Sequence, residues 1–374
     1  MTRREIMAEI RTQGGKAWRR SKAANQGSQT GVAFTLIEML LVIAIVALLL
    51  SVLLPALSSA RRTARTVVCS ANMRQMGIAS QTYSGDWKGL IAGFSWQPEH
   101  SESAYPDLQY GPAALRADVQ SDQAVDIARK LTGFGATDQP AAPGRVMNRN
   151  FWHMPMQAAG YYASRNPFDE SPVCPEDRNP ILWRRQHSTA QILQFVAEGL
   201  TPSDDSRAFE LMFRYWGTYQ AVACSYSNDE KVGTVDTFYQ APDDYQLFQV
   251  NETNAEFTRI GLRRYDECSF PSQKVQAHDL YDRHFYKRLI WFAYPVVRQP
   301  LLFFDGSARV KKTGDANPGF QPETPASPLP TQYPYNPANG WPNYDPPSLS
   351  GGTDQVLGYY RWTRDGLHGV DYTQ

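Results

Sequence analysis

An apolar run near the start of the chain constrains its fold more than any other feature. Residues 39–57, MLLVIAIVALLLSVLLPAL, carry no charge, and only Ser51 and Pro55 interrupt them. With residues 34–37 in front, the run reaches the ~20 residues that a helix needs to span a bilayer. A buried core helix is the alternative, but the run is too long and too uniformly apolar for one. The sequence therefore predicts one transmembrane helix attached to a soluble body.

The charges on either side of the run predict its orientation. Residues 1–33 hold seven Lys or Arg residues against Glu5 and Glu9. Positive flanks stay in the cytoplasm, so we expect a single-pass inner-membrane protein with its N-terminus inside and its body in the periplasm or outside the cell. Three arginines on the far side oppose this assignment in part: Arg61, Arg62 and Arg65. The run is longer than a secretory signal core and no A-x-A site follows it, which argues against a conventional cleaved signal peptide.

One carboxylate, Glu38, lies near the start of the apolar run. An ionised side chain at the centre of a bilayer costs roughly 2.5–3.5 kcal/mol or more, so Glu38 should have a partner. If the chain is cut just before Phe34, the new α-amine lies four residues from Glu38. That amine can meet the carboxylate within one chain or between two chains packed side by side. In the second arrangement, assembly itself lowers the cost of burying Glu38.

The stretch AFTLIEMLLVIAIVALLL, residues 33–50, closely resembles the class III signal of type IV pilins and type II secretion pseudopilins. The resemblance implies that a prepilin peptidase cuts between Ala33 and Phe34 and methylates the Phe34 amine. It also implies that Glu38 pairs with the N-terminus of a neighbouring subunit during assembly. Pro55 falls where many pilins carry a helix-kinking proline, and proline kinks a helix by removing a backbone donor. Ala33 departs from the pattern, because the family usually has Gly before the cut.

The resemblance continues beyond the membrane segment. Residues 67–93, VVCSANMRQMGIASQTYSGDWKGLIAG, are similar to the segment after the membrane helix in large pilin-like families of planctomycetes and their relatives. SPVCPEDRN and PLLFFDGSARV, residues 171–179 and 300–310, fit the same style. These families often carry an H-x9-DG motif, and Asp305 and Gly306 match its end. The position of the histidine is Pro295, so the full motif is not met.

The chain divides into six parts along its length. We expect a removed basic leader (1–33), a transmembrane helix (34–58), its continuation outside the membrane (59–85), a soluble α+β body (86–317), a proline-rich extended segment (318–347) and an aromatic C-terminal segment (348–374) that docks back on the body. Ten of the 26 prolines lie in the fifth part, which favours an extended chain poor in hydrogen bonds. The predicted fold is pilin-like: a long N-terminal helix packed on an antiparallel sheet with large loops.

Local patterns predict several elements of the body. Cys69, Met73, Met76 and Tyr83 form one helical stripe, and Gly85 with Asp86 supplies a stop near Ser84. The strand candidates are 221–227, 245–250, 257–264 and 273–279. Two further strand-like runs flank Asp305-Gly306, a favoured type I′ hairpin turn, although a ligand role for Asp305 is the alternative. Ser188 and Gln191 are spaced as a capping box for a helix in 188–200.

The four cysteines are Cys69, Cys174, Cys224 and Cys268. All lie outside the membrane in the predicted topology, where disulfides can form. Four cysteines allow three connectivities, and the sequence does not choose among them. We favour Cys69 with Cys174 and Cys224 with Cys268, because each pair flanks a plausible unit. Four buried thiols are the alternative.

The strongest candidate for a chemical site is HDLYDRH, with His278, Asp282 and His284 as weak candidate metal ligands. Imidazole and carboxylate groups bind divalent metals, but this spacing matches no zinc motif. We therefore expect a polar loop or a solvated helix here, with no metal and no cofactor. There is also no G-x-S-x-G elbow, phosphate loop or G-x-G-x-x-G, so we expect no enzymatic activity.

These features predict a pilin-like structural subunit of a type II secretion or type IV pilus-like system. Its expected partners are the prepilin peptidase, other pilin-like subunits and the inner membrane. Basic and acidic residues balance at 37 each, so the whole chain offers no electrostatic case for nucleic acid. The alternative is an envelope-anchored enzyme or carbohydrate-binding module that uses a pilin-type signal. The size and aromatic content of the body motivate it, and a deep pocket holding His278 and Asp282 would favour it.

Overall fold

The computed structural model describes the chain in segments, to which every statement below refers. They are residues 35–98, 100–111, 116–142, 147–162, 164–200, 206–226, 238–240, 248–250, 263–319, 329–330, 332–335 and 346–373. The chain forms two units, Met1–Ala56 and Leu57–Gln374. The described part is α+β, with a long N-terminal apolar helix and an antiparallel sheet.

Helix α1 runs from Leu36 to Asp86. Its large apolar side chains from Leu36 to Leu57 are exposed, and among the described helices it alone is long and apolar enough to cross a membrane. A chain with this helix is compatible with single-pass anchoring. The helix is continuous through Pro55. The kink expected at Pro55 remains a prediction. Ala33 and Phe34 lie outside the described residues, and so does the leader.

The later part of α1 carries the predicted stripe. Cys69, Met73, Met76 and Tyr83 are all buried, together with Ser80 and Gly77. Cys69, Met73, Met76 and Tyr83 belong to the main hydrophobic core, which they share with the sheet and the C-terminal aromatic residues. The helix ends at Asp86, at the predicted stop.

The main sheet has four antiparallel strands in the order β1-β4-β7-β8. These are β1 (Tyr219–Ala221), β4 (Val275–Asp279), β7 (Arg298–Phe303) and β8 (Ala308–Lys312). Three short antiparallel pairs accompany it: β2 (Phe238–Gln240) with β3 (Phe248–Val250), β5 (Tyr281–Asp282) with β6 (Ile290–Trp291), and β9 (Gln332–Tyr335) with β10 (Asp354–Leu357). Strand β4 confirms the prediction for 273–279, and β3 confirms part of 245–250. Residues 257–262 lie outside the described part.

The remaining helices lie between α1 and the sheet in sequence. They are α2 (Arg116–Thr132), α3 (Asn148–Phe151), α4 (His153–Ala159), α5 (Arg178–Arg185), α6 (Thr189–Ala197) and α7 (Arg207–Glu210). Two smaller cores form around α2 and around α5 with α6. The Ser188 hydroxyl accepts a hydrogen bond from the Gln191 amide at 3.3 Å, which confirms the predicted cap of α6.

The strand predicted at 221–227 is largely wrong. Only Ala221 of the expected strand 221–227 belongs to β1, and a 3₁₀ turn follows at Ala223–Ser225. The Ser225 and Tyr226 amides donate to the Val222 and Ala223 carbonyls, so local turn bonds replace the ladder there.

The hairpin between β7 and β8 exists, but its turn is not type I′. Gly306 has φ 79° whereas Asp305 is not in the left-handed region, and a type I′ turn needs positive φ at both central residues. The Gly306 amide donates to the Phe303 carbonyl and the Phe303 amide to the Ser307 carbonyl, which makes a three-residue loop. The Asp305 carboxylate accepts hydrogen bonds from the Ser307 amide and hydroxyl.

The C-terminal segment docks on the body as predicted. Tyr359, Tyr360, Trp362, Leu367 and Tyr372 are buried in the main core. Part of the proline-rich segment, Gln332–Tyr335, forms β9, which pairs with β10; residues 320–328, 331 and 336–345 lie outside the described part.

Candidate functional site

The first candidate site is the start of α1, where Thr35 and Glu38 form a capping box. The Glu38 carboxylate accepts hydrogen bonds from the Thr35 amide at 2.8 Å and from the Thr35 hydroxyl at 2.9 Å. The Glu38 amide donates in return to the Thr35 hydroxyl at 3.3 Å. Such reciprocal bonds satisfy amides that the first turn of a helix leaves without partners. Glu38 therefore has a partner within its own chain, one that the sequence analysis did not identify.

The segment HDLYDRH is neither a polar loop nor a solvated helix, contrary to the sequence prediction. His278 and Asp279 are buried in β4, while Asp282 is buried in β5. His284 is also buried just beyond β5. Polar side chains can be buried here because hydrogen bonds and an ion pair satisfy most of them.

The three weak metal candidates do not share one site. The His278 ring packs on Phe292 and Tyr360, with centroid distances of 4.7 and 5.2 Å, and its Nδ1 pairs with the Asp279 carbonyl. The Asp282 carboxylate accepts backbone hydrogen bonds from residues 284, 285 and 298. Both side chains are thus engaged in internal contacts, and His284 alone of the three meets other metal-binding groups.

His284 meets two cysteines that are remote in sequence. One ligand atom each from Cys69, Cys174 and His284 lies within 4.8 Å of the other two, and all three residues are buried. The Cys174 Sγ to His284 Nε2 distance is 3.3 Å. Three segments build this cluster: α1 carries Cys69, the loop between α4 and α5 carries Cys174, and the loop after β5 carries His284. We call these three residues the Cys-Cys-His cluster.

Neighbouring groups hold each member of the cluster. The Tyr219 hydroxyl donates to Cys69 Sγ at 3.1 Å. The Cys174 amide donates to the Thr218 hydroxyl at 3.2 Å, and the His284 amide donates to Asp282 at 3.1 Å. The cluster is therefore positioned by the body around it and not by its own contacts alone.

A buried ion cluster adjoins this site. Arg283 contacts Asp177 at 3.0 Å and Asp279 at 2.8 Å. Burial raises the pKa of Asp279 to about 6, against the opposing attraction of Arg283. Burial also raises the pKa of Asp177, against the attraction of Arg283.

Burial and nearby charges act on the cluster itself. Burial, with Cys69 as neighbour, raises the pKa of the Cys174 thiol well above its usual value. Burial alone would lower the pKa of His284, but the contact with Cys174 and nearby carboxylates outweigh it and raise that pKa. The environment thus favours the protonated forms of Cys174 and His284.

All four cysteines are buried thiols in the structure. The two sulfurs of Cys69 and Cys174 lie within 4.8 Å of each other. Burial raises the pKa of Cys268 to about 12, and the Cys224 thiol adds to that shift from nearby. The favoured disulfide pairing brings together residues that are neighbours here, and the disulfides themselves remain a prediction.

Comparison with protein-family models, with curated proteins and with solved structures finds no match for this chain.

Proposed function

We propose that the protein is a pilin-like structural subunit, anchored by α1 and assembled through it. The carrying observation is the first half of α1, where the FTLIE sequence leads into a helix whose apolar side chains from Leu36 to Leu57 are exposed. An exposed apolar surface of this extent marks a membrane or protein contact. Lipid covers it before assembly, and the helices of neighbouring subunits cover it afterwards.

The capping box supports a defined role for Glu38 in that assembly. The cap uses the amide and hydroxyl of Thr35, and both groups remain in a chain that begins at Phe34. An ionised carboxylate offers about four acceptor positions. Glu38 can therefore keep its cap and still accept a hydrogen bond from the N-terminal amine of a neighbouring subunit.

Mass spectrometry of protein from native membranes tests the processing step. The proposal expects a mature chain that begins at N-methylated Phe34. A chain that retains residues 1–33 would contradict it and would leave the body as an anchored module.

A matched pair of variants tests the assembly step. Glu38→Gln removes the charge while its side-chain oxygen can still accept a hydrogen bond from Thr35. Thr35→Val removes the hydroxyl of the cap and keeps the charge. Two differently tagged copies of each variant are co-expressed, and recovery of one copy with the other is measured after cross-linking in membranes.

The two variants should behave differently in this assay. Membrane insertion should be unchanged in both, and recovery should fall strongly for Glu38→Gln but little for Thr35→Val. Equal recovery of Glu38→Gln and the unmodified chain would refute the pairing of Glu38 with a neighbouring amine.

A further inference from the structure

The Cys-Cys-His cluster has the dimensions of a metal site. Zinc binds cysteine sulfur at about 2.3 Å and histidine nitrogen at about 2.0 Å, usually as a tetrahedron. Ligand atoms on one such ion are then separated by about 3.6 Å for sulfur to nitrogen and about 3.8 Å for sulfur to sulfur. The Cys174 Sγ to His284 Nε2 distance is 3.3 Å, and all three ligand atoms lie within 4.8 Å of one another. Shifts of no more than about 1 Å would bring these donors onto one ion.

The charge of the ligands themselves calls for a cation. Two thiolates carry two negative charges in a buried place, which is costly without compensation. A divalent ion balances the two thiolates, and its binding releases the two thiol protons to solvent.

The donor set selects the class of ion. Two thiolates and an imidazole suit zinc and similar borderline ions, while calcium and magnesium require oxygen ligands. The Tyr219 hydroxyl already donates to Cys69 Sγ, as groups around a metal commonly do to ligating atoms.

A disulfide between Cys69 and Cys174 competes with this arrangement. Within the described part of the chain, the His284 Nδ1 atom is buried without a hydrogen-bond partner. The ring is therefore anchored by its Nε2 contact with Cys174. A Cys69–Cys174 disulfide would leave His284 Nε2 beside a sulfur that is only a weak hydrogen-bond acceptor. A metal ion would instead bind that Nε2 atom strongly.

We propose that Cys69, Cys174 and His284 bind one zinc-class divalent ion. This ion joins the part of α1 that begins the buried stripe to two loops of the body. Since classical zinc sites contribute directly to folding, the ion stabilises the packing of Cys69 and its neighbours. This proposal does not depend on whether the chain assembles as a pilin.

The test uses the full chain, purified in detergent under reducing conditions and loaded with Zn²⁺ or with Co²⁺ as a spectroscopic probe. The variants are Cys174→Ser and His284→Asn. Cys268→Ser is the matched control, because it removes a buried thiol outside the cluster. Bound metal is measured by elemental analysis, and proton release is measured in weak buffer.

The proposal expects about one ion per chain in the unmodified protein and in Cys268→Ser, with two protons released per ion. Co²⁺ should show thiolate charge-transfer bands. Metal content should fall at least tenfold in both cluster variants. The Co²⁺ spectrum of the unmodified chain decides the question even if a variant fails to fold.

Three results would overturn the proposal. One is a folded, reduced chain that takes up no metal. Another is equal metal retention in the cluster variants. The third is a Cys69–Cys174 disulfide, found by peptide mapping of metal-free protein from native membranes.

Discussion

The buried imidazole of His278 should make the stability of this protein depend on pH. His278 is 0% exposed, and its Nε2 has no hydrogen-bond partner within the described residues. Burial, assisted by the positive charge of Arg361, lowers the pKa of His278 from 6.5 to about 3. The folded protein therefore holds this ring neutral, while the unfolded chain takes up a proton on it below about pH 6.5.

The sign and size of the effect follow from this difference in pKa. A depressed pKa contributes stability that is present above pH 6.5 and is lost as the pH falls toward about 3. Each pH unit in that window costs about 1.4 kcal/mol. Between pH 7.5 and pH 5, His278 should lower the free energy of unfolding by about 2 kcal/mol, and by about 5 kcal/mol when the window is fully crossed.

Other buried groups act in the opposite direction, so the measurement must be a difference. Burial raises the pKa of Asp279 to about 6, and the stability tied to that shift is present at low pH and lost as the pH rises through 6. Urea unfolding, followed by tryptophan fluorescence, is compared between the unmodified chain and His278→Asn. The asparagine amide can replace the Nδ1 contact with the Asp279 carbonyl but does not titrate.

The variant should be less stable at pH 7.5 because it loses the packing on Phe292 and Tyr360. That stability gap should narrow by about 2 kcal/mol at pH 5, because only the unmodified chain binds a proton at residue 278 when it unfolds. A gap that stays constant from pH 7.5 to pH 5 would refute the reasoning.

Two further predictions concern close packing and buried charge. Gly77→Ala should lower the free energy of unfolding by about 1–3 kcal/mol, because the new Cβ would lie 2.8 Å from Leu302 Cδ1. In the control Gly85→Ala the new Cβ meets nothing within 4 Å, and the free energy of unfolding should rise by up to about 1 kcal/mol. Equal urea midpoints for the two variants would contradict this packing argument. Asp371→Asn should cost about 3–5 kcal/mol by leaving the buried Lys274 ammonium without the carboxylate 3.6 Å away. Adding Lys274→Met should restore most of that loss in the same urea assay, and a double variant no more stable than the single one would refute the argument.

The sequence predicts best those elements whose signal is local and repeated. Helix α1 is predicted by an apolar run, by a stripe that begins at Cys69 and by a stop at Gly85. The observed helix contains the run and the stripe, and its end at Asp86 agrees with the stop. The β7–β8 hairpin follows from two strand-like runs around Asp305-Gly306. The type of turn did not follow, because it depends on which residue adopts a positive φ.

The candidate metal site was beyond sequence reasoning for a physical reason. Its ligands come from three segments, and Cys174 and His284 are 110 residues apart, so no short motif contains them. His284 was noticed for its neighbours His278 and Asp282, but the fold directs the three side chains to different surroundings. The sequence indicates the burial of Cys69 and favours its pairing with Cys174, but neither pattern brings His284 to the two cysteines.

The two proposals meet in the helix that they share. Helix α1 exposes its apolar side chains up to Leu57 and first buries a residue at Cys69. If the chain assembles as proposed, a pulling force on the apolar part of this helix meets its first buried residue at Cys69. A metal–sulfur bond at Cys69 would hold the helix at this position. Without the ion, the apolar contacts of Cys69, Met73, Met76 and Tyr83 would carry the force together. Each apolar contact is weak, whereas a metal–ligand bond is short and directional. A single ion would therefore fix this point of the helix more firmly than any one apolar contact.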